Sequence, residues 1–141
     1  MKVKIKKLHP EAVVPKYANP GDAGLDLVAI SVLEDGKGAT YRTGLAIEIP
    51  EGFVGLVFPR SSIAAYDLSL ANAVGVIDSG YRGEIMFKFK RTELSRFAKS
   101  YKVGERIGQL VIMPYPKVEL EEVQELSSSV RGTGGWGSTG E

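Results

Sequence analysis

Whatever chemistry this chain performs must be carried by carboxylates, guanidiniums, amines, hydroxyls and backbone amides. Cysteine is absent, and histidine occurs once, as His9 between Leu8 and Pro10. Without cysteine there is no thiolate nucleophile, no disulfide and no cysteine-based metal site. A Ser-His-Asp hydrolase needs a histidine among its core motifs, and a histidine-rich metal centre needs several. His9, near the start and short of partners, reads as a surface residue. If the chain is a hydrolase, its base is an Asp or Glu. Arg, Lys, backbone N–H groups or a metal must then stabilise the charge that develops.

Four segments hold the parts of such a site. Pro59-Arg60-Ser61-Ser62-Ile63-Ala64 ends an apolar run and opens a short helix candidate, so an Arg fork, two hydroxyls and free N–H groups converge on one spot. That suits an anion, although a plain serine cap beside a surface arginine would look the same. Gly75 to Glu84 carries Asp78-Ser79-Gly80-Tyr81 between two apolar runs and reads as a β-hairpin. Asp78 is then either an ordinary turn residue or a carboxylate for a sugar hydroxyl, with Tyr81 as a floor for the ring. Asp26, between two leucines, needs a partner if partly buried: a metal-bound water or a Lys or Arg would serve. Gln109 is an amide set in an apolar run, with its hydrogen-bonding groups to satisfy. Taken singly, structural satisfaction is the default reading of both. No P-loop is present, and no G-x-G-x-x-G follows a strand, so those nucleotide-binding folds lack support.

The elements that must position these residues are mostly strands. Val3 and Ile5 alternate with lysines as in an edge strand. Leu45–Ile49 and Phe53–Phe58 flank a Pro50-Glu51-Gly52 turn, and Ile85, Phe87 and Phe89 alternate with Met86, Lys88 and Lys90. Ile107–Met113 is an apolar run stopped by Pro114 and Pro116, and Val118–Leu126 alternates in part. With 17 glycines and 7 prolines spread along 141 residues, the punctuation points to an all-β sandwich or barrel rather than a doubly wound fold. Ser61–Leu70, opened by two serines that could cap it, and more weakly Thr92–Ala98, are the helix candidates. The tail from Arg131 to Glu141 is glycine-rich yet carries an Arg, a Trp and three hydroxyls. It is either a disordered terminus or a lid that orders over a flat, anionic ligand.

The 141 residues make one domain. With 18 basic against 17 acidic side chains, no global field favours non-specific nucleic-acid binding. Apolar runs fall well short of the ~20 residues that span a bilayer, and the N-terminal MKVKIKKL does not look like a secretory signal. The expectation is a cytoplasmic protein without membrane contact, or a nuclear one if the source is eukaryotic or viral.

In chain order, AGLDL (23–27), PRSSIA (59–64), GVIDSGYRGEI (75–85), GERIGQL (104–110) and RGTGGWGSTG (131–140) resemble the five motifs of the trimeric dUTPase family. That resemblance implies an all-β, jelly-roll-like barrel with one short helix over residues 1–126. A flexible arm, residues 127–141, would close over the active site. It implies a homotrimer with active sites shared between subunits, and hydrolysis of dUTP to dUMP and pyrophosphate, which limits uracil in DNA and supplies dUMP for dTMP synthesis. By the same resemblance Asp78 is the general base, orienting water for attack on the α-phosphorus and holding the 3′-hydroxyl. Asp26 would meet Mg²⁺ only through water, the metal being held mainly by the triphosphate. Arg60, Ser61, Ser62 and Gln109 would bind phosphate. Asn72 and the backbone around Val76 and Ile77 would pair with the base edge, Met86 would line the pocket, and Tyr81 would leave no room for a 2′-hydroxyl. From the arm, Arg131 and the backbone around Gly135 would reach the phosphates. Ser138 and Thr139 would bond the γ-phosphate, and Trp136 would stack on uracil. Two positions depart from the family's pattern: Ser62 stands where Gly is usual, and Trp136 where Phe is usual. The competing enzyme reading is a dCTP deaminase with Glu84 as base; a binding or signalling module of the same fold is the alternative outside catalysis.

Overall fold

The computed structural model describes residues 1–93 and 98–135. Within them the chain forms β1 (Lys4–Lys7), β2 (Leu25–Val28), β3 (Ser31–Glu34), β4 (Gly38–Arg42), β5 (Leu45–Glu48) and β6 (Phe53–Phe58). A 3-10 turn (Ser61–Ala65) follows, then β7 (Leu68–Leu70), β8 (Gly75–Ile77), β9 (Met86–Arg91) and β10 (Arg106–Pro114). Two four-stranded sheets, ordered β2-β10-β6-β8 and β3-β4-β9-β7, are joined by a β1-β5 ribbon, and all pairing is antiparallel. The body is all-β and jelly-roll-like, as expected, but its sheets are open: among the described residues no ladder closes into a barrel.

Period-two patterning explains why these segments are strands. In β9, Phe87 and Phe89 are fully buried while Met86, Lys88 and Lys90 face solvent. Leu27, Val57, Ile107 and Leu110 of the first sheet meet Tyr41, Phe87, Phe89, Leu68 and Leu70 of the second in one core. Burying a Phe of this kind stabilises by about 2–3 kcal/mol. The aromatic centre is ordered further: Tyr41 packs edge-on against Phe89 with centroids 5.7 Å apart, and its hydroxyl donates to the Tyr101 carbonyl at 2.9 Å. Burial pushes the Tyr41 pKa up to about 12, helped by nearby Glu34.

Three expectations need correction. Residues 75–85 are not a β-hairpin: β8 pairs with β6 in one sheet and β9 with β4 and β7 in the other, so the Asp78 turn crosses between sheets. Apolar runs on both sides of a turn signal two strands, but do not say that they pair. Ser61–Leu70 is helical only to Ala65, then turns into β7; neither serine caps it, because the cap position is Arg60, which makes no side-chain cap bond. Val118–Leu126 forms no strand; Val118, Leu120 and Leu126 are exposed, since Pro114 and Pro116 end the ladder and no free edge of the chain receives it. The weaker helix expectation, 92–98, falls largely outside the described residues.

Candidate active site

Strand parity builds the first half of the site. In β10, Gln109 stands opposite Asp26 of β2 and Phe58 of β6, so these three share one face while their neighbours Leu27, Leu110 and Val57 point into the core. Arg60, two residues beyond Phe58, continues on that face. Arg106 joins them through a β-bulge: Arg106 pairs with Val28, yet Gly108 pairs with Leu27. Two residues of β10 thus oppose one of β2, and Arg106 comes out on the side of Asp26 rather than in the core.

The result is a cavity of about 450 Å³, lined among others by Gly24, Asp26, Arg60, Ser61, Arg106 and Gln109. Asp26 is its hub. One carboxylate oxygen accepts from Arg60 Nε at 2.8 Å, the other from Arg106 Nη1 at 2.9 Å. Arg60 and Asp26 are both mostly shielded, whereas Arg106 is half exposed. Gln109 Nε2 donates to the Pro59 carbonyl at 3.1 Å, which ties β10 to the Arg60 segment. Gly24 is required by this arrangement: a Cβ there would collide with Gln109 Oε1. The Ser61 and Ser62 amides precede the first bond of the 3-10 turn, Ile63 N–H to the Arg60 carbonyl, and among the described residues they have no backbone acceptor, so they can donate to a ligand. Ser62 Oγ lies 3.4 Å from Arg60 Nη1. The Tyr101 hydroxyl is buried without a hydrogen-bond partner among the described residues; burial raises its pKa, and the nearby Ser62 hydroxyl offsets part of that rise.

The second half of the site stands apart from the first. Val76, Ile77, Asp78 and Tyr81 belong to β8 and the turn after it, and Met86 opens β9. Val76, Asp78, Tyr81 and Met86 are exposed. Tyr81 N–H donates to the Asp78 carbonyl at 3.0 Å, closing the turn, and Arg82 Nη1 braces it through the Ser79 and Tyr81 carbonyls at 2.6 and 2.9 Å. Just before β8, Asn72 enters a tight turn in which Ala73 takes a left-handed conformation, φ 59°, unusual for a residue with a Cβ. None of these residues lines the cavity at Asp26. β2 and β8 are opposite edges of one sheet, three strand spacings or about 14 Å apart.

Of the arm, Arg131 and Gly135 are exposed and lie off the cavity; Arg131 Nε donates to the Gly134 carbonyl at 2.9 Å. Trp136, Ser138 and Thr139 lie outside the described residues. One residue of this cavity escaped the sequence reading, Arg106. Arg106 stands three residues from Gln109, and simple alternation puts it on the wrong face.

Both oxygens of Asp26 are engaged by guanidiniums, and among the described residues no three His, Cys, Asp or Glu side chains gather as a metal site. Such a donor set fits a hydrated cation arriving on an anionic ligand and does not fit one chelated by the protein.

A family model described as dUTPase matches residues 10–140. The deoxyuridine 5′-triphosphate nucleotidohydrolase of Thermobifida fusca (strain YX) is 46% identical over 99% of this chain and 79% of its own. That of Crocosphaera subtropica is 41% identical, covering 99% of both. Among solved structures, a mutant dUTPase of Staphylococcus bacteriophage 80alpha with dUpNHpp superposes with a TM-score of 0.85 at 31% identity, covering 99% of both chains. A mutant dUTPase from phage phi11 of S. aureus, described for its coordination of a structural Mg(II) ion, gives 0.74 at 28% identity over 89% of this chain and 98% of its own. Sequence and fold agree, and the chain belongs to the dUTPase family.

Proposed function

We infer that this enzyme hydrolyses dUTP to dUMP and pyrophosphate, keeping uracil out of DNA and supplying dUMP for dTMP synthesis. One observation supports the reading above others: the cavity suited to phosphate (Asp26, Arg60, Arg106, Gln109, with the Ser61 and Ser62 amides) and the turn suited to a deoxynucleoside (Asp78, Tyr81, Val76, Ile77, Met86) stand apart, none of the turn's residues lining the cavity. A triphosphate on one chain's cavity would be met by the nucleoside turn of a second chain. That separation favours active sites completed between subunits, in a homotrimer.

Asp78 takes the proton of the attacking water as the water oxygen bonds to the α-phosphorus. The bond from that phosphorus to the bridging oxygen breaks, and Arg60 and Arg106 receive the pyrophosphate charge. Asp78 also holds the 3′-hydroxyl, Asn72 and the Val76–Ile77 backbone read the base edge, and Tyr81 excludes a 2′-hydroxyl. When bound, Mg²⁺ offsets the triphosphate charge, with Asp26 reaching it through water. The arm, residues 127–141, closes over the site: Arg131 and the Gly135 backbone approach the phosphates, Ser138 and Thr139 the terminal one, and Trp136 the uracil ring. The substrate pool suggests a cytoplasmic enzyme that binds neither nucleic acid nor membrane stably.

The deaminase reading loses its base. Glu84 is held by Arg42 Nε and Nη2 at 2.8 and 2.6 Å and by the Gly44 amide at 2.7 Å, so it is not free to activate water. Incubation with dUTP, UTP, dTTP and dCTP separately, with sizing in solution, tests the whole reading. Pyrophosphate from dUTP alone, by a trimer, is expected. Ammonia from dCTP, or equal turnover of UTP, would overturn it.

A further inference from the structure

Glu84 sits where the nucleoside turn rejoins the sheet, with its side chain only 9% exposed. Its carboxylate turns back to the β4–β5 connection, taking Arg42 on one oxygen and the Gly44 N–H on the other. Its carbonyl faces the other way and accepts the Tyr81 hydroxyl at 3.0 Å. The Tyr81 ring meanwhile lies so close over Gly83 that a Cβ there would overlap it. The hydroxyl end of the ring is therefore held at two points, against Gly83 and on the Glu84 carbonyl. Both points move with residue 84.

The strand has backbone ties of its own just beyond Glu84. Thr43 Oγ1 already donates to the Ile85 carbonyl at 2.6 Å, and Ile85 N–H donates to the Leu45 carbonyl at 2.8 Å. What the Glu84 carboxylate adds is the placement of its own carbonyl relative to β4. Arg42 also pairs in register with Met86, so the same contact abuts a second wall of the nucleoside surface.

We propose that Glu84 and Arg42 are a positioning pair that sets the tilt of the Tyr81 ring and thereby the preference for a deoxyribose over a ribose. The inference rests on the proposed role of Tyr81. Neither Glu84 nor Arg42 touches the nucleotide; they act through the tyrosine.

The test is the ratio of kcat/KM for dUTP to that for UTP, measured on the intact protein with melting temperature alongside. Tyr81→Ala comes first: if it leaves the ratio unchanged, the reading of Tyr81 fails, and this inference with it. Given a collapsed ratio in Tyr81→Ala, Glu84→Ala should lower the ratio roughly tenfold, chiefly through a lower KM for UTP. Glu84→Gln, which keeps an acceptor for Gly44 but turns an NH₂ toward Arg42, should recover only part of it. Arg42→Ala, at a largely exposed side chain, should lower the ratio without unfolding the chain and serves if Glu84→Ala does not fold. Tyr81→Phe removes only the hydroxyl tie, so combining it with Arg42→Ala should cost no more than either alone. An unchanged ratio in Arg42→Ala and Glu84→Ala, or fully additive losses in the double variant, would overturn the proposal.

Discussion

Replacing Asp26 by Asn keeps the shape of the side chain and removes the charge that holds two arginines together. The Asp26–Arg60 contact, at 2.8 Å between side chains that are 21% and 26% exposed, has the character of a charge-assisted hydrogen bond worth about 1.5–3 kcal/mol. The contact to Arg106, whose side chain is 53% exposed, is worth less, about 0.2–1 kcal/mol. The Asn carbonyl can still accept from one guanidinium, but its NH₂ faces the other, donor to donor. A net loss of about 2 kcal/mol follows, and for a chain of this size that lowers the melting temperature by about 4–8 °C. Thermal unfolding followed by circular dichroism, at low and at high salt, measures it. The difference between wild type and variant should persist in high salt, because the Arg60 pair is shielded. A shift under about 1 °C, or one that vanishes in salt, would refute the idea that Asp26 is the hub of the cavity.

Asp78→Asn should lower kcat by ~10²–10⁴ while the affinity for a non-hydrolysable dUTP analogue stays close to wild type, as calorimetry would register; unchanged turnover sinks the assignment of the base. Gly24→Ala should force Gln109 off the Pro59 carbonyl, destabilising by about 1–3 kcal/mol and raising KM for dUTP, readable by denaturant unfolding and steady-state kinetics. Alkali should unfold the protein through Tyr41. Its folded pKa is raised to about 12 from 10.0 by burial, so the unfolded state loses this proton first; stability is intact below pH 10 and falls as pH rises toward 12. Tyrosinate absorbance should show late-titrating groups, Tyr41 and Tyr101, whose ionisation coincides with unfolding, and Tyr41→Phe should remove the Tyr41 part of the pH dependence.

Much of the fold was legible because half-buried strands write their exposure into every second residue. Phe87 and Phe89 against Lys88 and Lys90 needed no coordinates. Pairing was less legible: nothing local to Asp78 reveals that the strands on either side of its turn join different sheets, because the partners, β6 for one and β4 and β7 for the other, are distant in sequence. Site residues such as Arg60 and Gln109 could be named from motif resemblance, and the structure brings them onto one face. The engagement of Asp26 by two arginines was half foreseen as a need for a cationic partner, while Arg106 was missed because a bulge is invisible to a rule of strict alternation. Glu84 was noticed for the wrong chemistry, since only its three donors reveal a clamp.

The bulge in β10 has a meaning for how this strand can change in length. Ile107 and Gly108 share the inward side, and the outward residues before and after them, Arg106 and Gln109, are an odd number of positions apart. Lose Ile107, and the arginine keeps its side while the core loses an isoleucine. Gain a residue at the same place without a second bulge, and the guanidinium swings into the hydrophobic interior. Substitutions here are graded in effect, whereas an insertion acts as a parity check: while arginine and glutamine stay three positions apart, the strand must keep the irregularity that aims the arginine.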